Sequence, residues 1–179
     1  MTTSNYPNGF PNGVTIRNVP LAVSHPGLIF FVAAAANGGA DGNPGTFQKP
    51  LATIAAAQAK CRASRGDIIV VLPGHTTTIT AAAGLALSKA GIALVGLGNG
   101  SLRPTINFTT AVGADLDIDA ANITVANFLF TGGIDALTGP IDVNAADCTL
   151  VGIETRDVTG QATDFIVADD AFITARKPS

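Results

Sequence analysis

The 179-residue chain contains no tryptophan, one tyrosine, one methionine and two cysteines. Cys61 and Cys148 stand alone, with no CxxC pair and no metal-type spacing to His25 or His75, which excludes a disulfide scaffold or a zinc module; both are expected to be small buried hydrophobes. Charged residues are scarce at 13%, and mean hydropathy is +0.39, which excludes disorder driven by charge. Ten Lys and Arg, scattered singly, face thirteen acids, for a net charge of -3 and a pI near 5.1. No nucleic-acid or anionic-membrane partner is expected from that balance. The longest apolar run, Leu28 to Ala36, is nine residues, less than half of the ~20 needed to span a bilayer. The opening MTTSNYPNGF has neither a basic nor an apolar signal region, so cytoplasmic synthesis without secretion is expected.

Glu154 is the single glutamate, and helix formers are few beside 20 Gly and 10 Pro, which favours strands and turns. The first residues repeat an aromatic-Pro-Asn-Gly turn, Tyr6 to Gly9 and then Phe10 to Gly13, and read as an extended arm with Tyr6 and Phe10 as anchors for a partner. Strands are expected within Val14–Val19 and Leu28–Val32, and the Gly- and Asn-rich stretch 36–46 is a loop. From Pro50, residues Leu51, Ile54, Ala55, Gln58 and Cys61 share one helical face, predicting a helix over 51–62 with Arg62 and Arg65 at its C-terminal end. Asp67 to Leu72 reads as a buried strand. The chain divides into an arm with entry strands, 1–35, and one main domain, 36–179.

Internal repetition is the strongest signal. Leu116 to Phe128 matches Ile141 to Ile153 at an offset of 25, nearly every apolar position being kept. An earlier copy, Leu85 to Leu97, lies 31 residues upstream, and a weaker one starts at Phe165, with Val167 matching Val143 at offset 24. Repeats of this length mean a solenoid. Apolar residues alternate within each unit and slip at a corner, and PTINFT supplies a further strand through Ile106 and Phe108. Three short strands per coil predict an all-β fold, a short parallel β-helix of about four to five coils. Leu87/Ile118/Val143, Leu94/Val125/Leu150 and Ile92/Ile123/Cys148 are its expected interior rows, and helix 51–62 its N-terminal cap.

The stretch Asp41-Gly42, Gly45-Thr46, Lys49 to Ile54 and Gly66 to Gly74 resembles the entry segment of pectate-lyase-like right-handed β-helix proteins, a likeness covering roughly residues 36–175. The opening YPNGFPNGVTIRNVPL joined directly to a short β-helix resembles tailed-phage virion proteins, including head decoration (cement) proteins. The resemblance implies a structural protein of the virion, assembled in the host cytoplasm and seated on the major capsid protein. The alternative it implies is a tailspike or tail-associated β-helix that binds or cleaves host polysaccharide. Pectate lyases use Ca²⁺-binding acids with a basic residue across the groove, and no such constellation matches here position by position.

Period-two alternation puts Asp115, Asp117 and Asp119 outward, and the next coil stacks Asp142 beside Asp117 and Asn144 beside Asp119. At the ~4.8 Å strand spacing such a pair approaches a retaining-glycosidase separation or a Ca²⁺ site. Without an enclosing groove to raise one pKa, a solvated or contact face is the expected reading of Asp117 and Asp142. His75 is expected at a surface or interface. The glycines of 96–100 are solenoid corners rather than a phosphate loop, and Arg103 and Arg156 single charges. No catalytic residue, metal or cofactor is therefore assigned. Low charge density and open coils predict a homo-oligomer, a trimer suiting the threefold positions of a capsid lattice.

Overall fold

The computed structural model describes residues 27–157 and the short strands Thr15–Ile16, Val19–Pro20, Ile166–Ala168 and Thr174–Arg176. Strands β1 (Thr15–Ile16) and β2 (Val19–Pro20) pair antiparallel. Then follow β3 (Ile29–Val32), helix α1 (Ile54–Lys60), β4 (Ile68–Val71), β5 (Thr76–Ile79), β6 (Leu85–Leu87), β7 (Ala93–Gly96), β8 (Thr105–Phe108) and β9 (Leu116–Ile118). The later strands are β10 (Thr124–Ala126), β11 (Leu129–Gly132), β12 (Ile141–Val143), β13 (Thr149–Val151), β14 (Glu154–Asp157), β15 (Ile166–Ala168) and β16 (Thr174–Arg176). From β4 onward, consecutive strands join three sheets in rotation, ordered β3-β4-β7-β10-β13-β16, β5-β8-β11-β14 and β6-β9-β12-β15. Their pairings are all parallel, so the chain advances by one strand per sheet at each circuit, an arrangement consistent with a parallel β-helix.

The repeat offsets are the sheet registers. Leu85, Leu116 and Ile141 pair in line, as do Leu87, Ile118 and Val143, and Leu94, Val125 and Leu150. Each of these side chains is buried in one continuous core, joined by Ile92, Ile123, Cys148 and the stacked rings of Phe108 and Phe130. The last repeat departs from its expected alignment: Ile166 pairs with Ile141 and Val167 with Asp142, so the offset stays at 25 and the match of Val167 to Val143 is replaced. A slip of one residue would have exchanged inward and outward side chains along the whole strand.

Each circuit bends through the left-handed region at Ser64, Gly91, Asn122 and Asp147, with φ of 57°, 72°, 59° and 58°. The amides of Ser64, Gly91 and Asn122 donate to the carbonyls of Ala90, Ala121 and Ala146, which locks each corner to the next. Asn and Asp tolerate this conformation better than most other side chains, which suits Asn122 and Asp147 to these corners as glycine suits Gly91. A second corner is held by Asn127 (φ 61°), whose Nδ2 donates to the carbonyls of Gly96 at 2.8 Å and Gly98 at 3.0 Å.

Helix α1 is shorter than the expected 51–62. Thr53 is its N-cap, the Oγ1 accepting from the amide of Ala56 at 3.1 Å, and Leu51 lies before it, bridged to Val32. The buried helical residues are Ile54, Ala57 and Gln58; Ala55, expected on that face, is exposed. The helix packs on β3, β4 and β6, at the start of two of the sheets. Its C-terminal carbonyls are met not by Arg62 or Arg65 but by Lys89, whose Nζ donates to Ala59 and Cys61 at 2.9 and 2.6 Å.

Strand β3 belongs to the same six-stranded sheet as β4, so this entry strand hydrogen-bonds directly to the first strand of the coils. Its other edge is closed by the loop, since the amide of Phe31 donates to Gly45 and that of Leu51 to Phe31, both at 2.8 Å. The junction is pinned by Asp67, fully buried, which accepts from the amides of Leu28 and Arg62 and from the Arg65 guanidinium at 2.6–2.7 Å. Those hydrogen bonds, Arg65 foremost, hold its pKa down at about 2.

Candidate functional site

The outward positions of β9 and β12 carry the acids. Leu116 and Ile118 point into the core, as do Ile141 and Val143, so Asp117 and Asp142 face outward on neighbouring strands in direct register. The same row begins at Ala86 on β6 and ends at Val167 on β15, which places the two carboxyls between aliphatic neighbours. Asn144 follows the pair, its Nδ2 donating to Asp119 at 3.2 Å, and Asp115 precedes it, accepting from the amide of Ala83 at 2.5 Å.

The face is only partly open to solvent. Asp115, Asp117 and Asp142 are half-buried, and the Oδ1 of Asp142 is enclosed without a hydrogen-bond partner among the described residues. Burial, reinforced by the charges of Asp115, Asp119 and Asp142, pushes Asp117 up to about 6, and burial also raises Asp115. A carboxyl held near neutrality can donate or accept a proton. Among the described residues, however, the charges acting on Asp117 are all carboxylates. Among the described residues no group of three or more His, Cys, Asp or Glu side chains is placed to hold a metal ion.

The raised acid makes stability depend on pH. Between an unfolded pKa of about 3.9 and the folded value of about 6, the native chain binds a proton that the unfolded chain does not. The Asp117 contribution is therefore complete below about pH 4 and is lost as pH rises through about 6. Asp117→Asn is expected to melt higher than wild type at pH 7 and close to it at pH 4, as read by thermal denaturation. Identical pH profiles for the two proteins would contradict the crowding of these acids.

Other candidates resolve differently. His75, expected at a surface or interface, is buried, its Nε2 3.1 Å from Thr77 Oγ1, and burial pushes its pKa down. Arg103 and Arg156 are not single charges: both hold Glu154, at 2.7 Å each, on one outer face. Gly96 is needed for space, because a Cβ there would come within 2.4 Å of the carbonyl oxygen of Asn127. Cys61 and Cys148 are free and buried, and burial raises the Cys61 thiol to about 11, which removes it as a nucleophile. Tyr6, Phe10 and His25 lie outside the described residues.

Sequence reasoning missed one outer surface. In the strand expected over Asp67 to Leu72, Ile69 and Val71 are buried, while Ile68 and Val70 are half-buried and face outward, as Phe31 does on β3. The signal lay in strands whose outward positions are apolar as well, IFFV and IIVV.

No protein-family model and no curated protein matches this chain. Among solved structures it is similar to a rhamnogalacturonan lyase, with a TM-score of 0.57 and 20% sequence identity. The match covers 79% of this chain and 38% of the lyase chain, so the protein spans well under half of that enzyme's length. At this identity the likeness is one of fold, a stack of parallel sheets consistent with the parallel β-helix expected from the sequence repeats.

Proposed function

We propose that the protein is a structural component of a tailed-phage virion, a short right-handed parallel β-helix of four to five coils that decorates and stabilises the outer surface of the head. The observation that carries this reading is the stretch YPNGFPNGVTIRNVPL, with its repeated aromatic-Pro-Asn-Gly turn, joined directly to the strands of the coils. Its partner is the major capsid protein, its anchor the arm with Tyr6 and Phe10, and its working form a homo-oligomer, a trimer matching local threefold positions. The outward acids support a non-enzymatic role, since among the described residues the charges acting on Asp117 are carboxylates, which do not balance an anionic transition state or substrate.

A second reading, a tail-associated protein that binds or cleaves host polysaccharide, draws on two observations: the fold likeness to a rhamnogalacturonan lyase and the protonatable Asp117 beside Asp142. Co-sedimentation with empty heads separates the two. Full-length protein is expected to pellet with heads, deletion of residues 2–13 to weaken that binding, and Asp117→Asn with Asp142→Asn to leave it unchanged. Depolymerisation of a host polysaccharide by wild type, lost in the double variant, would establish the second reading instead.

A further inference from the structure

The outer faces of the three sheets differ in chemistry. The sheet of β6, β9, β12 and β15 presents the acids, and that of β5, β8, β11 and β14 is rich in Thr and ends in the Arg103–Glu154–Arg156 cluster. The six-stranded sheet is different. Phe31, Val70, Val95, Ala126 and Val151 pair in direct register, one per strand from β3 to β13, and form an unbroken outward apolar column. The parallel outward row begins Ile29, Ile68 and Ala93 and continues with Thr124 and Thr149. From β3 to β13 neither row contains a charge, and on β16 the column continues in register to Arg176. At the β3 end the patch widens, because Phe47, 61% exposed, sets its ring edge-on to Phe31 at 5.5 Å, with Leu28 and Ile29 exposed nearby.

We infer that this face is the surface through which a second copy of the chain packs. The inference rests on the homo-oligomer part of the proposed function and is independent of the capsid and of the number of copies. A column with one apolar side chain every ~4.8 Å meshes best with a surface of the same repeat, another β-sheet face packed at about 10 Å. This chain carries such a surface, and the absence of charge removes both the repulsion that would keep two copies apart and the guidance a charged partner would need. The acidic face cannot play that part, since two copies would set Asp117 and Asp142 against like charges.

The size of the face sets the strength of the contact. Five strands span about 19 Å and strands of three to four residues about 10 Å. With the Phe47 end included, the patch is on the order of 300–400 Å² per copy, about half of the ~800 Å² of a standard interface. Association is therefore weak and concentration-dependent in free solution. A lattice that holds copies close together strengthens it through effective concentration.

Sedimentation velocity over a micromolar-to-millimolar series tests this with full-length protein. Wild type is expected to shift to larger species as concentration rises. Val95→Lys, with its change on the outward side of β7, is expected to keep the circular-dichroism spectrum and melting temperature while weakening association at least about tenfold. Ala126→Lys, in the same column, serves where Val95→Lys fails to fold, and Asp117→Asn is expected to associate as wild type. If the folded lysine variant associates as wild type does, the face is wrong while self-association stands. A wild type that is monomeric throughout the series overturns both the face and the homo-oligomer.

Discussion

Val125→Asp is expected to yield no soluble, folded protein. Val125 has no exposed surface and lies on β10, inside the six-stranded sheet, between Leu94 and Leu150 of the adjacent coils. An aspartate there faces only aliphatic side chains, and burying an unpaired carboxylate, or forcing it to take up a proton, costs several kcal/mol. Domains of this size are stable by only about 5–15 kcal/mol, so the loss removes most or all of the margin. The damage spreads because each coil buries its face only against its neighbours, and a coil that opens exposes the next. Val125→Ala isolates the packing contribution, about 1–3 kcal/mol, and is expected to fold with a lower denaturation midpoint. Soluble yield and circular dichroism read the result. A well-folded Val125→Asp protein of normal stability would mean that residue 125 faces outward, and the register of all three sheets would have to move by one.

Asp67→Ala carries the second large effect, expected as a loss of roughly 3–5 kcal/mol in equilibrium denaturation, typical of removing one partner of a buried ion pair. The carboxylate ties β3, the end of α1 and the start of β4 together through Leu28, Arg62 and Arg65. Alanine leaves the amides of Leu28 and Arg62 without their acceptor and the Arg65 guanidinium without its counter-charge. Asp67→Asn keeps one acceptor oxygen and is expected to fall between wild type and alanine. The pH dependence has the opposite sense to that of Asp117. With its pKa depressed from 3.8 to about 2, the Asp67 contribution is complete above the unfolded value and is lost as pH falls through about 2. The two acids therefore act in opposite senses, the Asp67 contribution being lost as pH falls and that of Asp117 as pH rises. Wild-type stability unchanged by Asp67→Ala would show that the junction between β3 and β4 is held by other contacts.

Where neighbouring coils repeat one another, the structure was legible in advance. The offsets of 25 and 31 residues already contain the pairings of Leu116 with Ile141 and of Leu85 with Leu116, because in a parallel solenoid the residue one repeat away is the residue one strand away. The same logic placed Asp142 beside Asp117. It failed where the repeat is weak, at Val167, and where the contacts are unique, at the N-terminal end. Helical periodicity suggested Leu51 and Ala55, but the boundary was decided by Thr53 and Asp41, whose oxygens collect the amides of Ala52, Thr53 and Ala56. Lys89 at the helix C-terminus, Arg103 with Glu154 and the buried His75 have no local signature at all, since their partners or surroundings come from segments far away in the chain.

By itself, then, the sequence determined the solenoid, its inward rows and the stacking of acids on one side, because these depend only on alternation and repeat length, which are properties of the chain alone. Only the tertiary structure decided how wet each face is. Asp117 and Asp142 lie among Ala86, Val167 and other carboxylates, which leaves the face half-buried and lifts Asp117 to about 6. Phe31, Val70 and Val95, whose strands read as apolar on both sides, face outward because only one side of each sheet can meet the core. Alternation tells which residues share a side. What covers that side depends on the packing of distant segments, and this sets both the pKa of a carboxyl and the exposure of an apolar column.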